Sequence, residues 1–147
     1  MIFEYKKYIV SYEKWGNGSE TLIAFHGFGQ SATIFSNIAP ALEKNFTVYA
    51  CSLFYHGESK LPNHISAGKP LPAEFFKEGL LKFCKQNNIE KFSLMGYSLG
   101  GRLVLKLLEM IPERINSLLL LAPDGVKKVV GIILQLIILL ESDYLKE

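Results

Sequence analysis

The stretch KFSLMGYSLGGR, residues 91–102, constrains the fold of this chain more than any other part of the sequence. Residues 92–95 form a short apolar run of the kind found in buried strands. From residue 102 to residue 109, apolar side chains recur at helical spacing. Between these segments stands the pattern G-x-S-x-G, with Ser98 at its centre. The order predicts a strand, a sharp turn that carries Ser98, and a helix.

Such a turn suits Ser98 for nucleophilic chemistry. A serine hydroxyl is a weak nucleophile and must be held where a base can reach it. The turn would place Ser98 in a strained backbone conformation at the carboxyl edge of the sheet. Because Gly96 and Gly100 lack Cβ atoms, the strand and the helix could close on each other, and the Leu99 N–H would point toward a developing oxyanion. A Gly-rich helix start without a catalytic role is the alternative, but the flanking strand and helix favour the nucleophile.

The rest of the chain alternates predicted strands with predicted helices, which indicates an α/β fold with a mostly parallel sheet flanked by helices. Loose alternation of apolar and polar residues, followed by a Gly-rich turn, predicts one or two strands within residues 2–15. Continuous apolar runs predict buried strands at residues 21–25, 46–51 and 115–121. Helical periodicity predicts helices at residues 32–44 and 73–87, with a polar loop over residues 60–72.

Length and composition exclude several classes of protein. The 147 residues suffice for one domain with a core and are too few for two. A net charge of +2, with lysines scattered along the chain, gives no electrostatic basis for nucleic-acid binding. Cys51 and Cys84 fall in apolar segments and are interpreted as reduced structural thiols. Without metal-ligand spacing or a signal-peptide pattern, we expect a cytoplasmic protein that needs no metal or other cofactor.

Three motifs, each closing a different predicted strand, resemble those of the α/β-hydrolase superfamily: HGFG at residues 26–29, HGES at 56–59 and GYSLGG at 96–101. The resemblance covers about residues 2–125 and implies an antiparallel first strand pair followed by parallel strands. It implies that Ser98 is the nucleophile and that the N–H groups of Phe28 and Leu99 form the oxyanion hole. The residues that support these motifs are His26, Gly27, Gly29, Gly96 and Gly100. The glycines beside Phe28 would let its backbone approach a substrate closely.

The remaining polar candidates have simpler interpretations. His26 is expected to bind neighbouring loops, His56 to organise its own turn, and His64 to lie solvated in a polar loop. Asp124 follows a predicted strand end, where the catalytic acid lies in some hydrolases, although the acid more usually follows the next strand. Tyr97 is expected to shape the pocket wall.

The sequence departs from the family pattern at the catalytic base. The family order is serine, acid, histidine, but no histidine follows Asp124. Loss of one triad member costs several orders of magnitude in rate. We therefore expect a serine hydrolase for a small carboxylic ester or related acyl compound, with impaired activity. The alternative is a non-catalytic truncated remnant that acts at most in binding.

Residues 126–147 form an atypical apolar tail after the hydrolase-like residues 1–125 of the single domain. The apolar run at 129–140 is shorter than the roughly 20 residues of a membrane span, so a short helix on the exposed flank of the sheet is predicted instead. A frameshift or truncation soon after Gly125 would explain the loss of resemblance. The unpaired edge of the last strand and the apolar tail would then favour self-association.

Overall fold

The computed structural model describes residues 1–63, 65, 71–122 and 138–141. They form a seven-stranded sheet with helices on both faces. In chain order the strands are β1 (Ile2–Tyr5), β2 (Tyr8–Trp15), β3 (Glu20–Phe25), β4 (Phe46–Cys51), β5 (Phe92–Tyr97), β6 (Ile115–Leu121) and β7 (Ile138–Glu141). The α-helices are α1 (Ala39–Leu42), α2 (Ala73–Gln86) and α3 (Leu99–Met110), and 3₁₀ turns cover Ala32–Asn37 and Pro112–Arg114. The predicted α/β class with a mostly parallel central sheet is confirmed.

The strand order is β1-β2-β4-β3-β5-β6-β7. The direction in which successive strands are added to the sheet changes around β3, and we call this change the chain reversal at β3. From β3 the chain moves to β4 on one side and then returns to β5 on the other side, and both pairs are parallel. The antiparallel pairs are β1–β2, β2–β4 and β6–β7. In open α/β sheets, ligands bind outside the carboxyl ends of the strands where the winding reverses. Here that place lies at the ends of β3 and β5.

Side-chain alternation along the buried strand β3 divides the core into two layers. Ile23 and Phe25 belong to the layer that also contains residues of α2 and α3. Leu22 and Ala24 belong to the opposite layer, with Phe35 of the first 3₁₀ turn. Because successive strand residues face opposite sides, an apolar run of this kind fits a strand that is covered on both faces. The two layers anchor β3 and the loop that leaves it.

The prediction of one continuous helix over residues 32–44 is wrong. A 3₁₀ turn covers Ala32–Asn37, and only the short helix α1 follows. Pro40 explains the break, because it has no N–H and its ring clashes with the preceding turn anywhere except at a helix start. In the structure Pro40 stands in the first turn of α1.

The prediction of a short helix in the apolar tail is also wrong for the tail residues that the structure describes. Residues 138–141 form β7, which pairs antiparallel with β6, so the outer edge of β6 is paired rather than open. The unpaired N–H and C=O groups of a sheet edge attract a further strand, and the many β-branched residues of the tail favour one. The expectation for residues 126–137 lies outside the described residues. Within the described part of the chain, no helix has the length and apolarity needed to cross a bilayer.

Candidate active site

Ser98 occupies the junction between β5 and α3, as the sequence predicts. Its φ of 49° and ψ of −112° lie in a region that non-glycine residues rarely adopt. Hydrogen bonds fix the backbone on both sides of this residue: the Ser98 N–H donates to the Leu121 carbonyl at 3.0 Å, and the Ser98 carbonyl accepts from the Gly101 N–H at 2.9 Å. The surrounding strands and the helix therefore hold the strained conformation in place.

Two glycines allow the turn to be this tight. A Cβ added to Gly96 would lie 2.6 Å from the carbonyl oxygen of Gly100. A Cβ added to Gly100 would overlap the carbonyl group of Phe25, at the end of β3. The first turn of α3 thus lies directly against the backbone of both β5 and β3. Only glycine permits such close backbone approach at these positions.

The loop after β3 lies beside Ser98. A Cβ added to Gly27 would be 3.2 Å from the Cβ of Ser98. Three of the loop's N–H groups have acceptors: Gly27 donates to Oε1 of Gln30 at 3.1 Å, Gly29 to Nε2 of His56 at 3.0 Å, and Gln30 to the Gly27 carbonyl at 3.4 Å. For the Phe28 N–H, no acceptor is present among the described residues. The Phe28 side chain is 83% exposed.

The N–H of Leu99 lies in the first turn of α3, and N–H groups in the first turn of a helix have no acceptor within that helix. The positive end of the helix dipole adds to their affinity for negative charge. The structure therefore brings the loop that carries Phe28 next to Ser98, and Leu99 follows Ser98 directly at the start of α3. His26 and His56 are not available as a base, because both ring nitrogens of each residue are already hydrogen-bonded.

His26 connects the loops after β3 and β4. The ring is fully buried, its Nε2 accepts the Leu53 N–H at 2.9 Å, and its Nδ1 lies 2.6 Å from the Gly27 carbonyl oxygen. Since Nε2 accepts, the proton resides on Nδ1, which donates to Gly27. Burial lowers the pKa of His26 below its ordinary value of 6.5, the Gly27 carbonyl opposes that shift, and the nearby His56 ring assists it. His26 is thus a neutral structural residue.

His56 performs a similar function one loop away. Its Nδ1 lies 2.9 Å from the Phe54 carbonyl oxygen, so it organises its own turn as expected. In addition, Nε2 accepts the Gly29 N–H, which fixes the loop beside Ser98. The rings of His56 and His26 meet edge to face with centroids 5.0 Å apart. Neither this second bond nor the bond that the Gly27 N–H donates to Gln30 has a local sequence signal, and neither was predicted.

The pKa of His26 predicts how stability depends on pH. Below about pH 6.5 the unfolded chain binds a proton that folded His26 does not, so its contribution to stability is complete above that pH and is lost as the pH falls. The slope is at most about 1.4 kcal/mol per pH unit. Urea unfolding at about pH 7.5 and about pH 5.5, on either side of the ordinary histidine pKa, measures it. His26→Gln keeps a donor and an acceptor and should reduce this pH dependence; an unchanged slope in that variant would contradict the assignment.

Burial rules out the two cysteines as nucleophiles. Cys51 and Cys84 are both free and buried. Burial raises the pKa of the Cys51 thiol to about 12 and that of Cys84 to about 11, so neither forms a thiolate near neutral pH. Their interpretation as reduced structural thiols agrees with this. Asp124 and His64, the other candidates, lie outside the described residues.

An open groove of about 580 Å³ runs from the turn after β4 along α3. We call it the α3 groove. His56 and Leu99 line it and are also part of the surroundings of Ser98. Its lining also includes Leu61, Phe76, Arg102, Leu103 and Lys106. A mainly apolar groove with a few polar groups next to candidate catalytic residues is the usual form of a small-molecule site.

Comparisons with known proteins agree with this fold. The chain is similar to the pimeloyl-[acyl-carrier protein] methyl ester esterase of Aeromonas hydrophila subsp. hydrophila, with 32% identity over 113 residues, which cover 77% of this chain and 41% of that protein. It is 30% identical over 121 residues to an uncharacterised protein of Mycobacterium tuberculosis, and these cover 82% of this chain and 34% of the relative. The chain thus spans less than half the length of either relative.

The crystal structure of a membrane phospholipase A, described as a bacterial virulence factor, superposes with a TM-score of 0.75. The sequence identity is 23%, and the match covers 89% of this chain and 41% of that structure. At this identity the likeness concerns the fold alone. The family described as alpha/beta hydrolase fold matches residues 20–142. That match takes in most of the chain, which therefore belongs to the α/β-hydrolase fold family.

Proposed function

We propose that this chain carries the nucleophile and the oxyanion hole of a serine hydrolase for a carboxylic ester or a related acyl compound. The observation that carries the proposal is the backbone of Ser98, which is held at a φ of 49° between a central strand and a helix N-terminus. At a turn of this type the serine hydroxyl is accessible at the sheet edge, and the N–H groups of a helix N-terminus lie beside it. The neighbouring loop adds the N–H of Phe28.

The reaction starts when the Ser98 hydroxyl oxygen attacks the substrate carbonyl carbon and its proton passes to a base. The carbonyl π bond opens, and the resulting oxyanion accepts hydrogen bonds from the Phe28 and Leu99 N–H groups. When the tetrahedral intermediate collapses, the bond to the alcohol breaks and the alcohol leaves with a proton. Water then attacks the acyl-serine ester and releases the acid, which restores the Ser98 hydroxyl.

The general base is the component of this mechanism that the sequence supports least. All three histidines of the sequence precede Ser98, and the described two have both ring nitrogens hydrogen-bonded. Neither can accept the serine proton without giving up a bond that holds a loop. We infer that this sequence transfers acyl groups slowly, with Asp124 as the candidate acid from the sequence. A well-positioned general base contributes roughly 10²–10⁴ in rate.

The substrate class rests on chemistry and on a similar protein. A serine at the turn forms an acyl ester, whereas the dehalogenases and epoxide hydrolases of this superfamily use a carboxylate there. The similar protein of Aeromonas hydrophila is named as a methyl ester esterase. That name supports an acyl ester as the substrate class.

A fluorophosphonate probe tests the proposal directly. We expect slow covalent labelling at Ser98, located by mass spectrometry, and loss of that labelling in Ser98→Ala. Ser36→Ala, which changes an exposed serine away from the site, should label like the unaltered chain. If well-folded protein is not labelled, or if Ser98→Ala is labelled equally, the hydrolase proposal fails.

The second candidate function is a non-catalytic binding protein of the same fold. The observation that favours it is the lack of any histidine after Ser98 in this sequence. Such a protein would keep the α3 groove and bind an acyl compound without turning it over. Absence of fluorophosphonate labelling, together with retained ligand binding, would support this candidate over the first.

A further inference from the structure

The two cationic side chains of the α3 groove differ in their partners. Lys106 lies 2.6 Å from a carboxylate oxygen of Glu109, and it also feels the charge of Glu74. Arg102 lies one helical turn nearer to Ser98, and among the described residues no carboxylate forms an ion pair with it. The groove therefore presents one positive charge that an acidic side chain of the described chain does not offset.

The position of Arg102 relates this charge to the reaction site. Leu99 and Arg102 both line the groove, and three residues of α-helix advance about 4.5 Å. Apolar side chains line the same groove, among them Phe76, Leu61 and Leu103. The groove thus joins a candidate oxyanion donor, an apolar channel and a guanidinium group within a short span.

We infer that the α3 groove binds an acyl compound that carries a carboxylate, with the hydrocarbon against the apolar walls and the carboxylate at Arg102. A planar guanidinium matches a carboxylate with two parallel hydrogen bonds, and one uncompensated positive charge matches one negative charge. The positive end of α3 acts in the same direction. The inference rests on the proposed function, because it names the substrate class of the same site.

Binding of hexanoate and hexanamide to the full chain tests the inference, since the two have equal length and differ in charge. We expect hexanoate to bind about two- to fivefold more tightly, the range for a charge pair exposed to solvent. Amide chemical shifts of Leu99 and Leu103 should report both titrations. The difference should narrow as the NaCl concentration rises.

Three variants locate the effect. Arg102→Gln should lose most of the preference for hexanoate, whereas Arg102→Lys should recover part of it. Lys85→Gln is the matched control, because it removes one positive charge from the last turn of α2, outside the residues that line the groove, and it should keep the preference. Equal affinities in the unaltered chain, an unchanged preference in Arg102→Gln, or shifts confined to residues outside the groove would overturn the inference.

This result is independent of the test of the proposed function. A hexanoate preference that depends on Arg102, without fluorophosphonate labelling of Ser98, would leave the groove inference standing and remove the hydrolase. Labelling of Ser98 without any hexanoate preference would do the reverse.

Discussion

Replacing Gly100 by alanine should destabilise the chain by about 3 kcal/mol or more, the upper range for overpacking a buried position. The added Cβ would overlap the Phe25 carbonyl, and the neighbouring atoms belong to the backbone of a central strand. Backbone atoms cannot turn aside as a flexible side chain can. Urea unfolding, compared with the unaltered chain, gives the change in the free energy of unfolding.

Gly79→Ala is the control for that substitution. Gly79 lies within α2, and a Cβ there would meet the Tyr5 ring at 3.6 Å, an ordinary contact distance. Because alanine favours a helix interior over glycine, this variant should gain about 0.5–1 kcal/mol. The same chemical change is thus expected to have opposite signs at two helical positions. Equal effects at both would show that contact with the β3 backbone does not decide the outcome at Gly100.

Free imidazole should accelerate fluorophosphonate labelling of Ser98 about tenfold or more. A positioned general base is worth roughly 10²–10⁴, and a base from solution recovers only part of that. His26 and His56 cannot supply this base while their nitrogens hold the loops beside Ser98. The second-order rate of labelling, measured with and without imidazole at constant pH and ionic strength, gives the acceleration.

Ser98→Ala supplies the background for that measurement, because imidazole also reacts with the probe in solution. N-methylpyrrolidine, a stronger amine without the imidazole shape, tests whether access to the turn matters. If imidazole leaves the rate unchanged, then either a base is already present or the Ser98 hydroxyl is not set up for attack. In the first case the assignment of a missing base is wrong, and in the second the assignment of Ser98 as the nucleophile is wrong.

The parts of the fold that the sequence predicted well are those decided by local patterns. The strands Phe46–Cys51 and Ile115–Leu121 match two apolar runs, each of which is flanked by polar or glycine-containing segments. The turn at Ser98 was predictable because the close backbone approach within the turn itself requires the glycines on both sides of the serine. By contrast, helical periodicity alone could not reveal that Pro40 divides the segment after β3. Nor could it separate a helix from a strand in the apolar tail, where pairing with β6 decides the matter.

The candidate site was predictable only in part, for a related reason. The serine and the N–H of Leu99 belong to one continuous segment, so their geometry follows from the turn. The bond from Gly29 to His56 joins residues that are 27 positions apart, and it depends on how two loops meet. The direction of Arg102 toward the α3 groove likewise depends on what packs against the opposite face of α3. Such contacts are set by tertiary structure and leave no trace in residue spacing.

The chain reversal at β3 has a consequence for motion. The ladder that pairs Phe25 with Gly96 fixes the points at which the loop after β3 and the turn after β5 begin. Amide hydrogen exchange in the two strands should therefore be slow, whereas the N–H groups of Gly27 and Gly29 should exchange faster, because they need only the opening of their own bonds to Gln30 and His56.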